Sequence, residues 1–356
     1  MFDRRIASIR QRLSKEKLDA VLISSVANIT YLTGYANFSE KEREAYLILG
    51  KDFQYIITDG RYTNAVKEQV PHFELFERSY QTPTEQLFKK LKNQIKILGI
   101  EEDNLTVSEL KKIKKHFKKT THFKLSRSIK NDDEIKKIEK ACQIGDLAFE
   151  YILKQIKIGV TEKETANKLE GFIKGQGGEF PFSAIVAFGK NSAISHHQTG
   201  QTKLEKGQII LIDFGVKFEN YCSDMTRTVF FRQPSKKQQE MYKVVYEAQK
   251  KAVGFINSKK QVKAADVDKV VRDYIMSKGY PNLPHSLGHG IGLEVHEQPY
   301  ISPKSKEVLN EGMVFSIEPG IYIATFGGVR IEDLYTIEKT NVKKLTGGTT
   351  KNPPLF

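Results

Sequence analysis

Cysteine is nearly absent from this chain. Its 356 residues carry two, Cys142 and Cys222, too few for a disulfide framework, and both are expected as free thiols of a cytoplasmic protein. Long apolar runs are missing as well. No stretch reaches the roughly 18 apolar residues that a membrane helix needs, so no membrane partner is expected. The N-terminal segment MFDRRIASIRQRLSKEKLDAVLIS is basic but lacks the continuous apolar core of a secretion leader. Within it Ile6, Ile9 and Leu13 fall at helical spacing and lead into a strand. Positive charge, by contrast, is plentiful, with 57 Lys and Arg against 43 Asp and Glu and a net +14. The densest basic run, Lys111 to Lys119, reads as a solvated helix face, because the interleaved arginines and aromatics of RNA-binding surfaces do not accompany it. No nucleic-acid partner is expected. A hydrophobic share of 39% supports a sizeable core, the mean hydropathy of -0.45 reads as soluble, and the length leaves room for about two domains.

Residues 1–125 alternate short apolar runs with helical patterns. Strands are expected at Leu18 to Ile23, Ala45 to Leu49, Tyr55 to Thr58 and Ile95 to Ile100. Helices are expected at Arg61 to Gln69, Thr84 to Asn93 and Ser108 to Phe117, with Asp59 as an N-cap. This is the pattern of an α/β domain. A boundary falls near LSRSIKNDDE, giving domains 1–125 and 126–356.

The second domain repeats itself weakly at a shift of about a hundred residues. Asn131 with Glu134, Thr161 with Glu164, and Ser235 with Gln238 each read as a capping box opening a helix, and a further helix is expected at Val267 to Ser277. Strands are expected at Ile209 to Gly215 and Cys222 to Phe231, then again at Met313 to Ile317 and Val329 to Ile337. The repeat superposes LIDFG on SIEPG, so Asp213 corresponds to Glu318, and the strand of Asp224 corresponds to that of Glu332. Two αα-ββ halves would then set four carboxylates around a pseudo-twofold axis.

Those carboxylates carry the chemistry. Asp213, Asp224, Glu318 and Glu332, with His289, sit in apolar or Gly-rich stretches, where an unpaired charge costs several kcal/mol. Asp213 and Asp224 flank a tight hairpin. They are directly opposed if it centres between Phe218 and Glu219, and diagonal if it centres between Glu219 and Asn220. Either way they share a face, with Cβ atoms ~5 or ~7 Å apart, and they repel unless a proton or cation lies between them. On the last strand Glu332 faces the same way as Arg330, and Asp333 points away. An oxygen-rich set with one imidazole suits two divalent ions of the Mn, Co, Fe or Zn kind better than one structural zinc. Hydrolysis of an amide or a phosphate ester is the reaction class implied.

LIDFG, SDMTRT, GHGIGLEVHE, IEPGIY and GVRIED resemble the five metal-ligand motifs of the pita-bread metallopeptidases. They match the Xaa-Pro aminopeptidase and Xaa-Pro dipeptidase (prolidase) branch more closely than methionine aminopeptidase. ANITYLTGY and ITDGRY resemble the creatinase-type N-terminal domain of that branch. The resemblance implies an α/β creatinase-like domain at 1–125 and an α+β pita-bread catalytic domain at 126–356 with the pseudo-twofold αα-ββ repeat. It implies two divalent ions, Mn2+ first, with Co2+, Zn2+ or Fe2+ as alternatives. Asp224 and Glu332 would bridge them, Asp213 would complete one, and His289 with Glu318 the other. Glu318 would act as general base. His296 would stabilise the tetrahedral intermediate and His196 would bind near the scissile bond. Arg330 would hold the last strand or the distal end of the substrate. Of the adjacent pair His196 and His197, one is expected to be exposed and without a role, and the resemblance favours His196 as the functional one. The glycines of GHGIG are expected to serve turns and close backbone approach to the metals.

Two positions depart from the family pattern. Ser195 stands where a proline often precedes the first histidine, and Tyr300 stands where several prolidases place an arginine. The second departure puts the aminopeptidase reading, on peptides with proline at position two, ahead of its alternative, the dipeptidase. A non-catalytic basic binding module and a metal-free amidinohydrolase are the rivals from other classes. The relatives imply a homodimer.

Overall fold

The computed structural model describes residues 2–339 and 341–348. Contacts divide the chain into two units, Met1–Leu125 and Ser126–Phe356. Among the described residues no helix is long and apolar enough to cross a membrane.

The first unit runs α1 (Phe2–Glu16), β1 (Ala20–Ile23), α2 (Val26–Thr33), β2 (Tyr46–Gly50), β3 (Gln54–Asp59), α3 (Thr63–Gln69), β4 (Glu74–Arg78), α4 (Thr84–Leu91), β5 (Ile97–Ile100), α5 (Val107–Lys114) and β6 (Lys119–His122). Its sheet has the order β4-β3-β2-β1-β5-β6. β1 pairs parallel to β5 and antiparallel to β2. Both faces are covered, so the central strands are apolar throughout. Val21 and Ile23 pack with Ile6, Ile9 and Leu13 of α1. Ala20 and Leu22 point the other way and pack with Leu87, Phe88 and Leu91 of α4 and Ile113 of α5. The edge strands β4 and β6, ELFER and KTTH, carry too little apolar alternation to be read from sequence. Asp59 is not a helix N-cap. Tyr62 holds that position without a side-chain bond, and Asp59 instead accepts from the backbone and guanidinium of Arg61.

The second unit opens with α6 (Asp132–Leu153) and α7 (Glu162–Gly175), then β7 (Ile185–Phe188), β8 (Ile209–Phe214), β9 (Lys217–Phe218), β10 (Tyr221–Cys222) and β11 (Met225–Phe230). There follow α8 (Lys236–Asn257), β12 (Val262–Lys263), α9 (Ala264–Ser277), β13 (Gly288–Gly290), β14 (Glu297–Ile301) and β15 (Val308–Leu309). The chain closes with β16 (Val314–Ile317), β17 (Gly320–Ile323), β18 (Gly327–Arg330), β19 (Asp333–Glu338) and β20 (Asn341–Lys344). The helix pairs repeat in length, 22 and 14 residues each time, and three of the four carry capping boxes at Asn131, Thr161 and Ser235. One core joins α6 and α7 to the sheet β11-β8-β7. A second joins α8 and α9 to the sheet β14-β13-β16-β19-β20 and the hairpin β17-β18.

The β8–β11 register pairs Thr226 with Asp213, and Phe218 pairs Tyr221. The turn therefore centres on Glu219 and Asn220, both with positive φ, which makes Asp213 and Asp224 diagonal on one face. The expected strand Val329 to Ile337 is two strands. β18 pairs with β17 and β19 with β16, and the break falls at Ile331 and Glu332. There Glu332 bridges to Thr226 of the other half.

Candidate metal centre

The site lies where the halves meet. Asp213 leaves the end of β8 and Asp224 precedes β11, each carried by a hairpin whose apolar side chains are buried in the first core. Glu318 follows β16, and its N–H donates to Leu287 O at 2.8 Å. His289 stands mid-β13, between two glycines that cannot be replaced. A Cβ on Gly288 would strike Ser316 O and one on Gly290 would strike Gln298 O. These glycines let neighbouring strands close on His289, a different reason from approach to metals.

A single cavity of about 440 Å³ is lined by Asp213, Asp224, His289, Glu318 and Glu332 together with His196, His296 and Arg330. The tightest group is Asp224, His289 and Glu332, with one ligand atom from each lying within 4.8 Å of the others. His289 Nε2 is 3.5 Å from Glu318 Oε1, 3.8 Å from Asp224 Oδ2 and 4.0 Å from Glu332 Oε1. Its Nδ1 lies 3.1 Å from Gly290 O. A proton held there leaves the Nε2 lone pair aimed into the carboxylates. Burial, helped by His296, lowers its pKa to about 4, so the ring is neutral near pH 7.

The carboxylates face one another without a bound proton donor for every oxygen. Asp224 Oδ1 and Glu332 Oε1 are buried with no hydrogen-bond partner, a costly state unless something else meets them. Burial, then the neighbouring acids, push Asp224 and Glu318 well above the usual carboxylate range. Burial and Asp213 raise Glu332 to about 7, against the pull of Arg330 and a Thr226 hydroxyl that donates to it at 2.7 Å. Orphaned oxygens, mutual repulsion and a neutral imidazole form a donor set that fits divalent cations.

Asp213 stands slightly apart because Arg330 holds it. The Arg330 guanidinium binds Asp213 Oδ2, donates to Tyr322 Oη at 3.0 Å and to Thr226 Oγ1 at 3.0 Å, and reaches Ser195 O at 3.4 Å. Burial opposes its charge, but Tyr322, Asp213 and Glu318 hold it charged. Arg330 thus anchors the Asp213 carboxylate, tying β18 to β8.

Three residues escaped sequence reading. His285 lines the cavity, with Nε2 2.9 Å from Tyr322 Oη; its place four residues before His289 in HSLGHG was the available signal. Tyr322 closes the IEPGIY motif and links His285 to Arg330. His197 was expected to be the exposed member of its pair, and in exposure the order is the opposite. His196 is the exposed one, opening into the cavity, while His197 is packed with Nε2 2.8 Å from the buried Glu162.

Residues 136–339 match the model of metallopeptidase family M24, and residues 5–135 match that of the creatinase/prolidase N-terminal domain. The chain is 38% identical to an Xaa-Pro dipeptidase of Pyrococcus horikoshii over 97% of both chains. Among solved structures it superposes on the Xaa-Pro dipeptidase from Bacillus anthracis with a TM-score of 0.92 at 34% identity, covering 100% of each chain. It superposes on the X-Pro aminopeptidase from Thermotoga maritima with a TM-score of 0.87 at 34% identity, covering 99% of each. The two units are thus a creatinase-type N-terminal domain and a pita-bread domain. Dipeptidases and prolidases predominate among these relatives, which favours the alternative substrate reading over the one that Tyr300 put first.

Proposed function

The chain belongs to metallopeptidase family M24, and from that premise we propose that it hydrolyses the Xaa-Pro bond of dipeptides as a cytoplasmic, dinuclear, Mn2+-dependent prolidase. The observation that carries the reading is the cluster of carboxylates and one neutral imidazole around one cavity, with buried oxygens unmet by any protein donor. The cavity adds a less polar wall of Phe182, Ile185 and Val295, suited to a pyrrolidine ring that brings no N–H to satisfy. Cys142 and Cys222 are both buried and form no disulfide, which fits a reducing compartment.

Asp213, Asp224, His289, Glu318 and Glu332 would hold the ions, with Asp224, His289 and Glu332 as the tightest group. When bound, two divalent ions supply Lewis acidity toward the scissile carbonyl and the attacking water. Glu318 takes the proton of that water and delivers it toward the departing proline nitrogen. His296 donates to the developing oxyanion, and His196 orients the substrate beside the scissile bond. Arg330 borders the cavity, holds Asp213 in place and opposes the rise that burial imposes on its pKa.

A second reading, aminopeptidase action on longer peptides, is favoured by Tyr300. It lines the cavity half-exposed where an arginine would meet a dipeptide carboxylate. Metal-stripped protein reloaded with Mn2+ and offered Ala-Pro and Ala-Pro-Ala separates the two. Metal-dependent alanine release from Ala-Pro is expected. Cleavage of the tripeptide alone establishes the second reading, and cleavage of neither by metal-loaded protein overturns both.

A further inference from the structure

Glu162 is fully buried, yet it has no lysine or arginine partner in the ion pairs that involve it. It sits at the first position of α7, after the Thr161 cap, where the helix N-terminus favours negative charge. Its carboxylate collects donors from one segment only. Oε1 accepts from Phe188 N at 2.9 Å and Asn191 Nδ2 at 2.8 Å. Oε2 accepts from Gly200 N at 3.0 Å and meets His197 Nε2 at 2.8 Å. The Glu162 N–H itself donates to Thr202 O at 3.1 Å, and that of Lys163 to Gly200 O at 2.9 Å. One carboxylate therefore ties both ends and the middle of residues 188–200.

That segment carries His196 into the cavity. A turn closed by His197 N donating to Ile194 O at 3.1 Å holds Ser195 and His196 at its tip. His197 lies on the Glu162 side, and His196 is exposed into the cavity. Fixing the His197 ring fixes the direction in which its neighbour leaves the chain. We infer that Glu162 and His197 are positioning residues that aim His196 at the substrate, so the two adjacent histidines divide the work between holding and contact. The inference rests on the Xaa-Pro reading for its kinetic arm only.

The test compares His197→Gln with His197→Asn. The glutamine amide reaches as far as Nε2 and keeps the bond to Glu162, whereas the asparagine amide reaches only as far as Nδ1 and loses it. With Mn2+-loaded protein and Ala-Pro, H197N is expected to lose roughly 10- to 100-fold in kcat/KM, the scale of changes behind a site residue. The loss should fall on kcat, and H197Q should restore most of it. The double variant H196A/H197N should be no slower than H196A, because His197 acts through His196. Mn2+ affinity by calorimetry should be unchanged in H197N. Independently of any substrate, amide hydrogen exchange of Phe188 and Gly200 should accelerate in H197N and not in H197Q. Additive losses in the double variant, lost Mn2+ affinity, or unchanged exchange would overturn the inference. Failure of the wild-type protein to cleave Ala-Pro would overturn the substrate reading instead, and the exchange comparison would still decide the positioning role.

Discussion

The first unit and the cavity of the second both bury carboxylates, and they treat them in opposite ways. In the first unit Glu101 accepts from Ser24 N, Ser25 N at 2.8 Å, the Ser24 hydroxyl at 3.2 Å and the Asn28 amide, joining β5 to the start of α2. Glu109 closes the capping box of α5 and accepts from Arg43 Nε at 2.8 Å and Tyr46 Oη at 2.7 Å. Burial alone would raise Glu109, but Arg43, Tyr46 and Thr106 hold it down to about 2. In the second unit Asp224, Glu318 and Glu332 meet mainly one another, and all three are raised. A carboxylate whose lone pairs are all used by the protein is mortar. One whose lone pairs converge on those of other buried carboxylates, at a cost in stability, is a site. The pKa shifts follow, with half-buried Glu109 lowered and the buried Asp224 and Glu332, with Glu318 beside them, raised.

The sharpest way to break this contrast is Glu332→Gln. It should abolish tight Mn2+ binding by calorimetry and lower kcat/KM beyond the roughly 100-fold upper range of outer-shell changes. The same substitution removes repulsion from the metal-free protein while keeping an acceptor for the Thr226 hydroxyl. Its melting temperature without metal should therefore rise. A ligand substitution that destabilised the metal-free fold would refute the claim that these oxygens are held at a cost.

The metal-free protein should also show that cost as a pH dependence. Glu332 has a folded pKa of about 7 against an ordinary 4.5, so the folded state binds its proton more tightly than the unfolded chain. Stability is then fully present below the ordinary carboxylate range and is lost as pH rises through about 7. The loss is about 3 kcal/mol for a shift of this size. Chelator-treated protein followed by denaturant titration between pH 4.5 and 8 measures it. Saturating Mn2+ should reverse the slope, because metal binding displaces the protons.

In the first unit the signs invert. Glu101→Gln turns an amide donor toward groups that themselves donate, and should cost about 2 kcal/mol of stability. Mn2+ affinity and kcat/KM should stay at wild-type values.

How much of this was legible in the sequence follows the same division. Metal-site carboxylates lie in short motifs whose strand parity alone puts Asp213 and Asp224 on one face, and the capping boxes at Asn131, Thr161 and Ser235 are local in sequence. The β8–β11 hairpin, with its turn at Glu219 and Asn220, was readable to within one residue. Partners distant along the chain were not. Glu162 meets His197 across 35 residues, and nothing in TEKE or SHHQT announces the pairing. His285 reaches Tyr322 across 37 residues. The break at Ile331 and Glu332 was hidden because the residue alternation runs straight through it, and only pairing of β18 and β19 with different partners reveals it. Short Gly-rich β13 offers no periodicity, since its glycines are selected by carbonyls of other strands. The substrate length hinged on Tyr300 alone, one residue against the weight of the whole-chain comparisons.

The smallest effects come from two helix caps, one with a titratable partner and one without. Thr106 caps α5 with Glu109 as the reciprocal partner, and Ser235 caps α8 with Gln238 in that role. Thr106→Ala and Ser235→Ala should each cost about 1 kcal/mol near neutral pH. Their acid limbs should differ. Glu109 contributes stability that is present above the ordinary carboxylate range and lost as pH falls through about 2. The Thr106 hydroxyl, donating to Glu109 Oε2 at 2.9 Å, is one of the bonds that holds that pKa down. Its removal lets the pKa climb toward its ordinary value, so T106A should lose less stability on acidification and complete that loss at a higher pH than wild type. The amide of Gln238 does not titrate, so S235A should shift the whole acid profile down without moving its midpoint. Guanidinium titrations at pH 2, 3, 4.5 and 7 distinguish a moved midpoint from a uniform offset. A uniform offset in both variants would mean that solvent, rather than Thr106, sets the charge of Glu109.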